Sequence, residues 1–548
     1  MKLKKSTFKR FNRNDILDMS DMFTDCNSLI DLNISKLKTD SVISMENMFK
    51  GCSKLKKINL SNLKTDRVNN MKGMFEGCKK LEELNLSNLN TDTVDDTSEM
   101  FKGCSSLKKI YSLNLNNVKN MDDMFCECSS LKELDLSNII NNKVTYMNKM
   151  FYKCSSLEKL KMFKLKHKNF VFIENIFYEC KKLKELNLSD FIIGKTYNLE
   201  NVFYKCSSLV NLDLSNFQEI SLLVSTSKMF YGCSSLESLN LTNFGTYNVQ
   251  NMSYMFYGCS SLKKLDLSNF RTTSLNDMCN MFYGCSSLKE LNISNFNTVN
   301  VKDMGNLFFG CSSLEQIDLS SFVTSNVFNM EGMFEGCSSL KELKLSNFQT
   351  SKLNIMNKMF KNCSSLIKLD LSKFYTEKVI QMNSLFEGCS SLKDLDISNF
   401  DFKSITSMNK MFLDCSSLIN LNMPEFKIKN NCQLIKIHYG CQKAIMQKIN
   451  SKKIYLNVEF LTDEILNYNY FKNLHNDDEQ REYLGDYLFK KIDRNPISQS
   501  KNLNYNNIAL ITGIFLSLEN KNQIFDIATD DNLFTEYLLE ILKLLGLN

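Results

Sequence analysis

An α/β solenoid followed by a small all-α helical bundle is the architecture this sequence predicts, on three observations. One phrase recurs: MFYGCSSLKKLDLSNF from Met255 to Phe270 returns as MFYGCSSLKELNISNF from Met281 and MFEGCSSLKELKLSNF from Met333. Its cysteine recurs sixteen times, from Cys26 to Cys415, in steps of 26 residues except 24 into Cys128 and 27 into Cys233. From Asn476 onward there is no cysteine, and apolar residues fall at helical spacing instead. A fixed period of this size marks a stack of coils, each burying its apolar side only against its neighbours.

Residues 1–22 precede the first register cysteine and are assigned as an N-terminal cap. They open with the basic run MKLKKSTFKRFNR, which no apolar stretch follows, so no secretory signal is expected. Residues 23–426 hold the sixteen repeats. In each, a period-2 alternation such as Leu265 and Leu267 suits a short strand with one face inward. The other half spaces Val249, Met252, Met255 and Phe256 by threes and fours, predicting one or two turns of α- or 3₁₀-helix that stop at Gly258. Strand, loop and helical turn in about 26 residues is the leucine-rich-repeat plan, with a parallel sheet presumed to form a concave face. On that sheet the residue between the last two apolar strand positions is mostly Asp or Asn (Asp266, Asn292, Asp318, Asp396), once Lys344. This column reads as a solvated ladder in which Asn relieves carboxylate repulsion.

The repeat wording, M-F-x-G-C-S-S-L-x-x-L-x-L-S-x-F over residues 15–426, resembles the BspA-type leucine-rich repeats. Two stretches depart from it: Leu107 to Met121 is shortened, and Leu157 to Phe172 breaks the wording. The extra residue falls between Phe217 and Val224. The register cysteines are expected to form a buried ladder of free thiols.

Residues 427–462 are assigned as a C-terminal cap carrying a last alternation, Ile454, Leu456, Val458 and Phe460. Cys432, His438 and Cys441 lie close together there, but a zinc site needs four ligands and no fourth is evident. No metal and no cofactor is expected. Residues 463–475 are a linker.

Residues 476–548 are the predicted helical domain, with stripes such as Leu484, Leu488 and Ile492, then Ile511, Ile514, Phe515 and Leu518. Seven basic against twelve acidic residues between Asp477 and Asn548 leave a charge of −5. Two phrases, LGDYLF (Leu484 to Phe489) and ITGIFLSLEN (Ile511 to Asn520), resemble the signature phrases of the MLLE domain found at the C-terminus of poly(A)-binding proteins. That resemblance implies a helical bundle with two apolar pockets for short Leu- and Phe-containing peptides. Gly485, Asp486 and Phe489 would meet the peptide's Phe; Thr512, Ile514, Phe515 and Leu516 would line the pocket for its Leu. Leu510 and Ser517 stand where that family has Lys and Glu.

No nucleophile elbow, P-loop or HExxH motif is present, so an enzyme is not expected. The +6 net charge over 548 residues makes no electrostatic case for direct nucleic-acid binding. No apolar run is long enough to span a membrane. The expectation is a cytoplasmic adaptor: a leucine-rich arc for an unknown protein partner, joined to a peptide-docking domain linked to messenger-RNA machinery. The alternatives are an extracellular BspA-type adhesion protein and a substrate-recruiting partner of a ubiquitin ligase.

Overall fold

The computed structural model describes residues 15–424 apart from 62, 167–169, 218–219 and 221. Beyond these it describes 437, 440–441, 484–485, 487–489, 491–492, 511–512, 514–515, 524, 527–528 and 531–545. The chain falls into two compact units, Met1–Ile454 and Tyr455–Asn548, and a separate apolar core lies in each.

Unit one is a leucine-rich-repeat-like parallel solenoid. Its described residues contain sixteen strands of two or three residues, from β1 (Asp31–Asn33) to β16 (Asn420–Asn422), all paired in parallel. The repeat period sets the register: Leu265 lies opposite Leu291, 26 residues on. The strands are short because only x-Leu-x is extended. The next Asp or Asn turns the chain by accepting the backbone N–H two residues on, as Asp266 Oδ1 does from Ser268 at 2.9 Å. That bond has a structural purpose, which explains why the column alternates between Asp and Asn without regard to charge. It also holds the Asp266 and Asp318 carboxyls below the usual carboxylate range.

The other half of the repeat corrects the helical expectation. It contains no helix in the described coils, because two of its residues sit in the left-handed region: Tyr254 at φ 58° and Gly258 at φ 71°. Left-handed residues break a right-handed helix and rotate alternate peptide planes along the solenoid axis. Their N–H groups then bond forward to the next coil: Tyr254 to Cys279 O, Phe256 to Met281 O and Gly258 to Tyr283 O, at 3.0, 2.9 and 2.7 Å. The intervening peptides close locally, as Cys259 N–H does on Phe256 O at 3.1 Å. The coil is therefore tied to its neighbours on both sides, by strands and by turns. Gly258 suits its position through φ, which glycine adopts without a Cβ penalty, and Lys153, Glu179 and Lys205 hold the same left-handed place in other coils.

Side chains stack in ladders between these two walls. Phe230, Phe256 and Phe282 are fully buried, and their rings stack in parallel at 5.4 and 5.7 Å. The cysteine ladder is present as expected, with all register thiols free and buried except half-buried Cys26 at the end of the stack. From Cys52 to Cys415 each register thiol donates to a backbone carbonyl of the preceding coil: Cys285 Sγ donates to Phe256 O at 3.2 Å, filling the carbonyl's second lone pair. Burial pushes the thiols of Cys285, Cys337 and Cys389 up to about 12, so they hold no reactive thiolate near neutral pH. Native protein at pH 8 is therefore expected to resist a thiol-labelling reagent at nearly every position. All twenty cysteines should label once the chain is unfolded under non-reducing conditions. Rapid native labelling, or a deficit of thiols after unfolding, would overturn the buried free-thiol ladder.

Two further points correct the sequence reading. Cys441 belongs to the ladder as a seventeenth register member: it lies 26 residues past Cys415, is buried, and donates its thiol to Phe412 O at 3.0 Å. Its sulfur is therefore engaged in the stack; Cys432 and His438 lie outside the described residues. Buried threonines form another, unforeseen ladder. Thr298 Oγ1 donates to Val323 O and accepts from Val323 N–H, both at 2.8 Å, and the same stitch recurs at Thr324 and Thr350.

The irregular coils stay in the stack. The shortened one keeps Phe101 and Phe125 stacked at 5.4 Å. The stretch that breaks the wording adds a second strand pair, Leu165–Lys166 with Phe191–Ile192.

In unit two, α1 (Asp531–Leu544) contributes Phe534, Leu538, Ile541 and Leu542 to a core shared with Leu484, Leu488, Ile511 and Phe515. The assigned cap (427–462, apart from 437 and 440–441) and linker (463–475) lie outside the described residues.

Candidate interaction surfaces

Three surfaces stand out. The strand face carries alternating charges that pair from coil to coil: Lys108 with Glu82 at 2.7 Å, Lys264 with Glu290 at 2.6 Å and Lys341 with Glu315 at 2.7 Å. Lys161 beside Asp135, with hydrogen bonds from Ser137, holds that carboxyl down at about 2. These exposed pairs are satisfied within the chain and add little stability each. One break interrupts the pattern. On the strand face, between Glu290–Asn292 and Lys368–Asp370, the described backbone keeps only the bridge Glu342↔Lys368. There a groove of about 910 Å³ opens, lined among others by Asp266, Glu290, Asp318, Glu342 and Lys344.

The second surface lies in the turn half, one residue after the buried phenylalanine. Tyr152, Tyr178, Tyr204, Tyr231, Tyr257, Tyr283 and Phe309 form one unbroken stack of half-buried rings. Their centroids are 4.7, 4.5, 4.7, 4.4, 4.4 and 4.2 Å apart. The stack follows from the fold: the Phe ladder faces in, so the next residue faces out, and equivalent residues repeat at the coil spacing. Burial and the neighbouring phenols push the Tyr178 hydroxyl up to about 12. Lys153 and Lys205 lie over the rings of Tyr152 and Tyr204 at 5.1 and 5.3 Å. Beside the later rings runs a column of left-handed glycines, Gly232, Gly258, Gly284 and Gly310. The sequence reading missed this row, although its signal is plain once the repeats are aligned: MFYKC, IFYEC, VFYKC, MFYGC and LFFGC read down one column.

The third surface is the predicted peptide site of unit two. Gly485 and Phe489 are half-buried, on the same short helical stretch as buried Leu484 and Leu488. Thr512 is buried and Ile514 half-buried. Phe515 is fully buried, its ring stacked on Phe534 at 5.5 Å, so it supports this region from inside the core. Lys491 Nζ lies over the Phe534 ring at 4.7 Å and donates to Ala528 O at 2.8 Å. Asp486 and Leu516 lie outside the described residues.

Among known proteins, the family described as Mycoplasma protein of unknown function, DUF285, matches residues 1–111, 78–191, 171–266, 259–366 and 339–452. No curated protein matches the chain. Among solved structures, a leucine-rich repeat protein from Eubacterium ventriosum is similar at 16% identity, over 67% of this chain and 84% of that one, with a TM-score of 0.32. A leucine-rich-repeat protein from Leptospira interrogans is similar at 13% identity, over 84% and 99%, with a TM-score of 0.21. The TLR13 chain of a complex with ssRNA13 is similar at 20% identity over 65% of this chain, with a TM-score of 0.25; the chain spans about half of it, 49%.

Proposed function

We propose, for a chain that belongs to the family described as Mycoplasma protein of unknown function, DUF285, that the solenoid is a non-enzymatic scaffold for protein partners. The observation that carries this reading is the turn-half surface: seven stacked rings displayed on coils tied together on both sides. Such a surface costs little conformational entropy to use, because its side chains are already held by their neighbours. The buried free thiols fit a reducing, cytoplasmic setting. Among the described residues, no helix is long and apolar enough to cross a membrane.

The finer reading concerns unit two, as an MLLE-like helical bundle that docks Leu- and Phe-containing peptides and links the scaffold to poly(A)-binding-protein-type machinery. It is supported by the two signature phrases and by the separate core that Leu484, Leu488, Ile511 and Phe515 share. Half-buried Phe489 next to half-buried Gly485 offers a ring face beside open backbone. Titrating the full chain with such a peptide is expected to give micromolar affinity, about −8 kcal/mol. Phe489→Ala should weaken it at least tenfold without loss of helicity. A full chain that binds no such peptide would sink the docking reading.

A further inference from the structure

We propose that the aromatic row is a self-association surface, on which a second copy of this chain docks antiparallel about a two-fold axis passing between the Cys259 and Cys285 coils. The first argument is period. The rings repeat every 4.2–4.7 Å, the spacing of stacked strands. Alternate residues of one extended peptide lie about 6.8 Å apart and fall out of step within two coils. A second copy has the same period and stays in step along the whole row.

The second argument is charge. Under this axis the neutral centre of the row meets itself, with the Tyr257 coil facing the Tyr283 coil and the Tyr231 coil facing that of Phe309. Only tyrosine, phenylalanine and glycine are brought together there by these two columns. The next coils outward carry charges at the same two positions, and those charges are opposite in sign. The coil of Lys205 faces that of Glu335, and this contact carries the match. Further out the coil of Glu179 faces that of Lys361 and the coil of Lys153 that of Glu387, where Lys361 and Glu387 already pair with each other along the chain at 3.1 Å and Glu179 with Lys181 at 3.4 Å. Each contact occurs twice in the pair. The match ends one coil further out, where Glu127 and Asp414 are both acidic, so those coils bound the interface.

Neighbouring registers fail. Moving the axis by half a coil in one direction opposes Lys205 with Lys361 and Glu179 with Glu387. Moving it in the other opposes Glu179 with Glu335 and Lys153 with Lys361. Parallel pairing sets every charge beside its own copy. One register alone sets Lys205 against Glu335, and the neighbour that sets Glu179 against Glu335 is disfavoured by repulsion, in an isologous contact that closes on two chains. Tyr204 and Tyr152 gain partners as well, since their hydroxyls face the carboxylates of Glu335 and Glu387 and can donate to them.

Ten facing coils span roughly 43 Å at the strand spacing. A strip about 10 Å wide along that length buries on the order of 900 Å² in total, at the small end for a specific contact, so a micromolar dimer is expected. Sedimentation equilibrium of the full chain between 1 and 100 µM (about the expected Kd) tests it. Lys205→Glu and Glu335→Lys should each weaken dimerisation at least tenfold, and the double exchange should return it to within threefold of the native chain. Both sites are half-buried surface positions, and unchanged thermal melts would confirm intact coils. A chain that stays monomeric at 100 µM, a dimer indifferent to either single change, or a double exchange no better than the singles would each overturn the proposal.

Discussion

Replacing Leu267 by Asp is expected to destabilise the solenoid by several kcal/mol. Leu267 is fully buried and its N–H is already committed to Asn292 O at 2.9 Å, so the backbone cannot swing the carboxylate outward without breaking the ladder. The group would enter a stack with no cation to meet it, and unpaired buried charge is among the costliest substitutions. The loss should also be local in character. In a one-dimensional array each coil depends mainly on its two neighbours, so the break should split one melting transition into two, the flanking coils melting separately. Calorimetry reads both the shift and the split. An unchanged single transition would mean that the inward strand face is misassigned.

Phe282→Ala should cost about 3–5 kcal/mol, the usual range for truncating a buried aromatic, and by a different route. Its ring stacks on Phe256 and Phe308 at 5.7 and 5.6 Å, so the truncation leaves a void with a ring on either side and no charge. The backbone ties of the turn half are untouched, since Phe282 N–H still bonds Leu307 O at 3.0 Å. Melting should therefore remain a single transition, shifted downward. Phe282→Leu, which refills part of the void, should recover about half of the loss. Equal losses for Ala and Leu in chemical denaturation would rule out a cavity as the cause.

Much of this fold could be read from spacing alone. The period gave the coil count to within one, and the alternation at Leu265 and Leu267 gave the strands and their inward face. Failures came where one residue serves a bond that no periodicity encodes. Apolar spacing of three and four suits a helix, yet Tyr254 and Gly258 adopt positive φ, and the chain turns without one. Left-handed geometry is easy to infer at a glycine and hard to infer at a tyrosine, whose Cβ normally disfavours it. Asp266 looked like surface charge because its N–H partner is local and leaves no trace in hydropathy. The tyrosine row is invisible to hydropathy, because an aromatic residue following a buried phenylalanine carries no mark of the face it takes. In the C-terminal unit, the stacking of buried Phe515 on Phe534 is a contact between distant segments that a signature phrase does not encode.

The forward hydrogen bonds of the turn half have an electrical consequence. In three columns, from the Cys26 coil to the Cys389 coil, N–H groups point toward the later coil and carbonyls toward the earlier one. In the strands the direction alternates, as Lys56 N–H bonds back to Ile30 O while Ile34 N–H bonds forward to Asn59 O, and those contributions cancel. The columns do not cancel. Each aligned peptide carries about 3.5 D, so the array has a permanent moment along its axis, with its positive pole at the last coil and its negative pole at the first. That polarity is the reverse of an α-helix, whose positive pole lies at its start. Anions are therefore favoured at the final coil and cations at the opening one, and in the sequence six lysines and arginines precede the first coil before any acidic residue occurs.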